Sequence, residues 1–153
     1  MIKTRLLRFA FVFPAIFLLS FEPGRRPSEN LADDVFRHTN QYRKSKGLKT
    51  LEMREDLNAI ARKHSQDMAN GRRSFGHGGY DQRVSKIKKT VEPCEGLVAE
   101  NVAYGASNGK EAIDIWKKST GHRKNMLGDY KYIGIGTARN KKGVIYYTQI
   151  FVR

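Results

Sequence analysis

The sequence predicts an α+β fold, an α/β/α sandwich in which a small antiparallel sheet lies between helices. Residues 57–68 repeat apolar side chains at helical spacing, and the chain ends in two strand-like segments joined by a hairpin signal. Both faces of the last strand are largely apolar, so helices should cover the sheet on both sides. The length of 153 residues allows one domain with a substantial core.

Three helices are predicted in chain order. The first runs from about Asn30 to Lys46 and stops at Gly47, a residue type that commonly ends helices. The second has the clearest periodicity, with one apolar stripe formed by Leu57, Ile60, Ala61, His64, Ser65 and Met68. The third covers residues 108–119, since Asn108 can cap it and its apolar residues recur one turn apart.

The remaining segments are predicted to be strands and connections. Residues 96–105 form a short strand, and residues 130–140 and 143–153 form a hairpin around the turn signal "NKKG". The glycine-rich stretch 71–83 is expected to be a loop, followed by a short helical turn at 84–89. Residues 48–56 are expected to be a plain connection.

The N-terminus is typical of an exported protein. Basic residues precede an uncharged apolar run at 9–21, which is shorter than the roughly 20 residues that span a membrane. We therefore assign residues 1–21 to a signal peptide or N-terminal membrane anchor, 22–30 to a linker and 31–153 to the domain. Either form of the N-terminus places the domain outside the cytoplasm, secreted, periplasmic or on the cell surface.

The chain is strongly basic, with a formal net charge of +14. This charge favours anionic partners such as acidic cell-envelope polymers or lipid head groups, although a solvated basic surface is the preferred interpretation of the charge alone. No basic motif interleaved with aromatic residues is present, so no specific nucleic-acid partner is predicted. The single cysteine, Cys94, excludes an internal disulfide framework.

Three ionisable residues stand out as a candidate site. His77 and His122 each lie in a short glycine-containing stretch predicted to be a loop, and Glu100 interrupts an apolar run. A carboxylate in such surroundings needs a partner, and two imidazoles would provide one. Two histidines and a carboxylate are also a known zinc ligand set, although the spacing alone favours a hydrogen-bonded polar cluster that joins three loops. His64, on the apolar stripe, is interpreted as a framework residue.

The chain resembles the CAP superfamily of cysteine-rich secretory, antigen 5 and pathogenesis-related proteins, which share the SCP domain. The resemblance covers residues 31–153 and is similar to the short bacterial branch. It is carried by five motifs that occur in the family's order: residues 40–69, "FGH" at 75–77, "AENVAYG" at 99–105, "W…STGHRKNML" at 116–127 and "YYTQIFV" at 146–152.

The resemblance implies an α/β/α sandwich with a central cavity lined by two histidines and two glutamates. His77, Glu100 and His122 match three of these positions, and Ser119 stands where the second glutamate is usual. It also implies a divalent metal such as zinc at this cavity, held by His77, His122 and Glu100. Some members bind lipids elsewhere, and no general enzymatic activity characterises the family.

Three functions follow as hypotheses, with a binding module favoured over an enzyme. The first is an exported, non-catalytic module whose cavity of His77, Glu100, His122 and Ser119 holds a divalent metal beside a cleft for a lipid or cell-envelope ligand. The second is a hydrolase, with His77 or His122 as base and Ser119 or a metal-bound water as nucleophile. The third is a structural envelope protein. The N-terminal segment would provide any membrane association, and the oligomeric state is left open.

Overall fold

The computed structural model describes residues 31–92 and 96–153. The predictions for residues 1–21 and 22–30, and for Cys94, lie outside this range. Nine elements follow one another: α1 (Leu31–Lys44), β1 (Glu52–Met53), α2 (Glu55–Ala69), α3 (Tyr80–Thr90), β2 (Val98–Tyr104), α4 (Gly109–Lys118), α5 (Thr120–Met126), β3 (Tyr132–Arg139) and β4 (Ile145–Val152).

The sheet has four strands in the order β1-β3-β4-β2. The hairpin partners β3 and β4 are antiparallel, as predicted, and β2 pairs antiparallel with the other side of β4. The two-residue strand β1 runs parallel to β3, which makes the sheet mixed rather than purely antiparallel. This strand lies in the segment predicted to be a connection. The sequence does not predict the strand, because its hydrogen bonds are made to distant residues and no local pattern signals them.

Helices cover both faces of the sheet, which confirms the predicted layered fold. On one face α1 and α4 pack against the sheet, and Trp116, Tyr147 and Phe151 are fully buried there. On the other face α2 and α3 enclose a smaller core that includes Leu57 and Ile87.

Two glycines of β3 let α2 approach the sheet very closely. A Cβ atom on Gly134 would collide with the backbone of Leu57, and one on Gly136 with the backbone of Ala61 and Arg62. The carbonyl of Gly136 also accepts a hydrogen bond from the hydroxyl of Ser65, at 2.9 Å. The apolar stripe of α2 therefore packs directly against the strand backbone.

Two predicted segments are wrong in their type or length. Residues 119–127, expected to be a loop, contain the helix α5, and the short turn predicted at 84–89 is the 11-residue helix α3. Neither has a long periodic pattern, and α5 contains a glycine, so tertiary contacts decide both. Within the described residues, no helix is long and apolar enough to cross a membrane.

Candidate functional site

The site is built on β2, which lies at the edge of the sheet. Its odd-numbered residues bond to β4, whereas its even-numbered residues direct their backbone groups away from the sheet. Three of these outward carbonyls accept side-chain hydrogen bonds from the surrounding helices: Val98 from the Tyr80 hydroxyl at 2.6 Å, Glu100 from Asn125 Nδ2 at 3.1 Å and Val102 from Trp116 Nε1 at 3.0 Å. The helices α3, α4 and α5 are thus hydrogen-bonded to this edge of the sheet.

Glu100 is the most heavily engaged residue of the site. Its carboxylate is almost fully buried and accepts two hydrogen bonds from Arg83. Nε of Arg83 lies 2.7 Å from Oε2, and Nη2 lies 2.7 Å from Oε1. One of the same oxygens lies 2.9 Å from Nδ1 of His77. The desolvation cost of this carboxylate is therefore offset mainly by a bidentate guanidinium, with one imidazole in addition.

The two predicted histidines have different surroundings. The side chain of His77 comes from the loop before α3 and is about half exposed. His122 comes from α5, and its Nδ1 is buried with no partner among the described residues. Burial lowers the pKa of the His122 imidazole, and the charge of the nearby His77 lowers it further. His122 is thus a neutral ring that lies within electrostatic reach of His77.

A network of amides holds α5 against β2 and so positions His122. Asn101 Nδ2 donates to the carbonyl of His122 at 3.1 Å and to Gln149 Oε1 at 3.2 Å. Asn125 Nδ2 donates to Asn101 Oδ1 at 2.9 Å. Both Asn101 and Gln149 are fully buried, so these bonds satisfy groups that have no access to water.

Ser119 lies at the start of α5, where its carbonyl accepts the first intrahelical hydrogen bond, from Arg123 N at 2.9 Å. Among the described residues, no hydrogen bond joins the Ser119 hydroxyl to His122 or His77. Ser119 is therefore close to His122 in the sequence, but its hydroxyl is not hydrogen-bonded to either candidate base.

An open cleft of about 480 Å³ lies over this part of the sheet edge. His77, Glu100, Lys124 and Asn125 supply its polar lining, and Tyr80, Tyr130 and the half-exposed Leu97 supply apolar surface. Ser119 and His122 do not line it. The cleft therefore combines a cationic and polar end with an apolar wall.

Comparison with known proteins identifies the family. The model of the cysteine-rich secretory protein family, CAP, matches residues 36–151. The chain belongs to the CAP family. Its CAP domain is 35% identical over 121 residues to an uncharacterised membrane protein of Bacillus subtilis, YlbC, and 35% identical over 101 residues to YkwD of the same organism.

The matches cover 75% and 64% of this chain, but only 32% and 38% of YlbC and YkwD, so the chain spans about a third of the length of these relatives. An extracellular protein containing an SCP domain from Bacillus anthracis superposes with a TM-score of 0.68 at 29% identity, over 80% of this chain and 40% of that one. A cysteine-rich secretory protein from Staphylococcus aureus gives 0.64 at 28% identity, over 84% and 41%. These likenesses confirm the CAP fold.

The donors of the CAP domain do not fit a three-residue metal site as they are arranged. Arg83 and His77 occupy the carboxylate oxygens of Glu100, and a guanidinium so close to a carboxylate disfavours a second cation there. Across residues 31–92 and 96–153, no group of three or more histidine, cysteine or acidic side chains is arranged to hold a metal. Metal binding by His77, His122 and Glu100 is therefore an untested expectation from the family resemblance, and the hydrogen bonding of Glu100 disfavours it.

Sequence reasoning missed Arg83, the charged partner of Glu100. Its segment is predicted to be a loop, but Arg83 lies at the end of the first turn of α3 and pairs with Glu100 at 2.7 Å. His64 agrees with its interpretation as a framework residue, since it is buried and its Nε2 lies 2.9 Å from the carbonyl of Gly76, next to His77. The need of Glu100 for a charged partner was the signal that could have led to Arg83.

The electrostatic coupling of the two histidines gives a testable pH dependence. A protonated His77 disfavours a proton on His122, so the His77→Gln substitution should raise the titration midpoint of His122 toward the ordinary value of 6.5, from below it in the parent protein. Imidazole chemical shifts followed by NMR measure the His122 midpoint in the parent protein and in His77→Gln. His38→Gln, on α1, is the control and should leave the His122 midpoint unchanged. An unchanged midpoint in His77→Gln would mean that the rings are not coupled.

Proposed function

We propose that this CAP domain is an exported, non-catalytic binding module whose ligand occupies the cleft of His77, Lys124 and Leu97. The observation that carries the proposal is the composition of that cleft. Lys124 offers positive charge, Lys124 and His77 offer hydrogen-bonding groups, and Leu97, 45% exposed, offers an apolar contact. Such a cleft suits a ligand with an anionic head and an apolar body, as in a lipid of the cell envelope.

The hydrogen bonding of the site supports binding rather than hydrolysis. A hydrolase needs a base that is oriented toward a nucleophile. Here Glu100 is engaged by Arg83 and does not bond to His122, and the Ser119 hydroxyl has no bond to either histidine. The polar groups of the site serve to hold α3 and α5 in place around the cleft.

The exposure of the cleft supports a ligand rather than a purely structural role. A purely structural cluster does not need an exposed side chain, whereas the His77 side chain is 51% exposed and accessible to a ligand. An exposed leucine beside it adds apolar surface that a ligand would cover.

The proposed location rests on the N-terminal segment and on the relatives. The apolar run at 9–21 serves in this proposal as a signal peptide or anchor. One similar structure is described as an extracellular protein and one relative as a membrane protein. The strong positive charge would hold the exported domain near anionic envelope components.

Oleate, which has a carboxylate head and an apolar tail, is the probe for the cleft. We expect calorimetry on the full chain to detect oleate binding, and the Leu97→Ser/Lys124→Gln variant to weaken it by about tenfold or more. The matched control is Ile115→Ser/Lys118→Gln, which removes an exposed aliphatic side chain and a lysine from α4. It should bind oleate like the parent protein.

Equal weakening in both variants, or no oleate binding by a folded parent protein, would overturn the proposal.

A zinc arm of the same titration tests the metal prediction. Because Arg83 already neutralises Glu100, we expect no stoichiometric zinc binding. Saturable binding that disappears in the His77→Ala/His122→Ala variant would instead make a metal part of the function.

A further inference from the structure

Three aromatic side chains are in contact at the hairpin end of the sheet, the end at which β3 turns into β4. The rings of Phe75 and Tyr104 lie 4.7 Å apart, edge to face, and those of Tyr104 and Tyr146 stack at 5.8 Å. Phe75 is 48% exposed and Tyr104 is 54% exposed. Single exposed apolar residues are ordinary on a protein surface, whereas exposed aromatic rings in contact indicate an interaction surface. We call these three residues the aromatic patch.

A cationic turn lies beside the aromatic patch. Tyr104 is the last residue of β2, and the next residue, Gly105, donates to the carbonyl of Ile145 at 2.9 Å. Residues 139–144 lead from β3 into β4 immediately before Ile145 and include no acidic residue. Their three basic side chains are all exposed: Arg139, Lys141 and Lys142.

The start of α1 lies at this same end of the sheet. Asp34, in the first turn of α1, accepts a hydrogen bond through Oδ2 from the backbone N–H of Gly109, at 2.7 Å. Two residues before Gly109, Ser107 lines a groove at the turn together with Lys142. The chain therefore enters the domain, at Leu31, on the side of the molecule that carries the cationic turn.

The residues before α1 limit the distance between this end and a membrane. The linker of residues 22–30 spans at most about 30 Å when fully extended. The strands β3 and β4, of eight residues each, are about 27 Å long, so the opposite end of the sheet lies roughly one further linker length away. An anchor at residues 1–21 therefore favours an orientation in which the hairpin end faces the bilayer.

We propose that the hairpin end docks on an anionic lipid bilayer, with the aromatic patch at the level of the head groups. Tyrosine rings, which are apolar with a polar tip, are favoured at membrane–water interfaces. Exposed lysines are attracted by the negative surface potential of anionic lipids. The aromatic patch alone would suit a protein partner as well, but the cationic turn and the entry of the chain on the same side favour the lipid surface.

This inference rests on the membrane-anchored form of the proposed location, but not on the ligand cleft. Leu97 of that cleft directly precedes β2, whereas Tyr104 ends it, so the cleft and the aromatic patch lie at opposite ends of this seven-residue strand. Docking through the hairpin end leaves the cleft accessible on the side away from the bilayer.

Tryptophan fluorescence of the full chain in vesicles with brominated acyl chains tests the orientation. Bromine quenches a tryptophan that approaches the acyl chains, and the native Trp116 is fully buried, so the parent protein gives the background. In vesicles that contain phosphatidylglycerol, we expect the Phe75→Trp variant to be quenched by more than this background. The matched control is Ile115→Trp, which places the same probe at an exposed position of α4 and should show the background only.

The cationic turn is tested by further substitutions in the Phe75→Trp variant. Lys141→Gln/Lys142→Gln should shift the balance between docked and undocked domain by about tenfold or more toward the undocked form, and so reduce the quenching. The control is Lys88→Gln/Lys89→Gln, which removes the same charge from the last turn of α3, near the opposite end of the sheet. It should shift the balance by less than about twofold, because attraction at a distance is screened.

Flotation of the vesicles separates failure of the anchor from failure of the docking face. A folded parent protein that does not float with the vesicles would contradict the membrane anchor and, with it, this inference. A chain that floats but is quenched equally in Phe75→Trp and Ile115→Trp, or more strongly in Leu97→Trp than in Phe75→Trp, would overturn the docking face alone. Equal loss of quenching in the two lysine variants would show diffuse attraction and overturn the role of the turn. The oleate titration tests the cleft separately, because neither Lys141 nor Lys142 lines it.

Discussion

The Gly136→Ala substitution is expected to destabilise the CAP domain by about 3 kcal/mol or more. The added Cβ would lie inside the backbone of Ala61 and Arg62, so α2 must move away from the sheet. Backbone atoms cannot change rotamer to make room, unlike the end of a flexible side chain. The shift would also stretch the hydrogen bond from Ser65 to Gly136. Chemical denaturation monitored by circular dichroism measures the loss.

Gly121→Ala is the matched control for this change. Its Cβ would meet nothing within 4 Å, and the residue lies within α5 without a positive φ. Alanine favours helix over glycine by about 0.5–1 kcal/mol, so this variant should be slightly more stable than the parent. If Gly136→Ala were as stable as Gly121→Ala, the close packing of α2 on β3 would be disproved.

The Arg43→Met substitution is expected to destabilise the domain by about 3 kcal/mol, since it leaves buried carbonyls unpaired. Arg43 is 3% exposed and donates to three carbonyls, those of Lys49, Met126 and Gly128, at 2.8–2.9 Å. Burial lowers the pKa of this guanidinium, while Asp129 raises it to a smaller extent. Because Met126 is the last residue of α5 and Gly128 lies just after it, the variant should also loosen the helix that carries His122.

Arg139→Met is the comparison, because Arg139 is exposed and donates to one carbonyl, that of Gly143. It should cost less than about 1 kcal/mol. Arg43→Lys keeps the charge but offers fewer, differently directed donors, so its stability should fall between those of the parent and Arg43→Met. Equal stability of Arg43→Met and Arg139→Met would contradict the role of Arg43 as a buried link between α1 and α5.

Elements with their own local pattern could be predicted from the sequence. The stripe of α2, the cap of α4 and the two apolar strands β3 and β4 with their hairpin turn are encoded by neighbours in the chain. The strand β1 and the helix α5 are not, because their stability comes from distant partners: β1 bonds only to the β3 region, and α5 is held by Asn101 and Arg43. Tertiary contacts override weak local preference in both segments.

The candidate site also contains some contacts that could be predicted from the sequence and others that could not. The apolar run around Glu100 indicated a buried carboxylate in need of a partner, and the structure places His77 against it. The sequence could not identify Arg83 as the dominant partner, because that depends on α3 starting at Tyr80 and directing Arg83, at the end of its first turn, toward β2. It could not show either that His122 would be presented from a helix, with its carbonyl rather than its ring bonded to the sheet.

The occupied carbonyls of β2 also determine which ligands and partners the edge of the sheet can accept. Domains that recognise extended peptides commonly do so by adding the peptide to an exposed edge strand through backbone hydrogen bonds. Here Tyr80, Asn125 and Trp116 already bond to the carbonyls that such a peptide would need. Strand addition by a peptide, or by the sheet of a second copy, is therefore blocked at β2. Recognition at this edge must use side chains and ligand shape instead of a shared β-ladder.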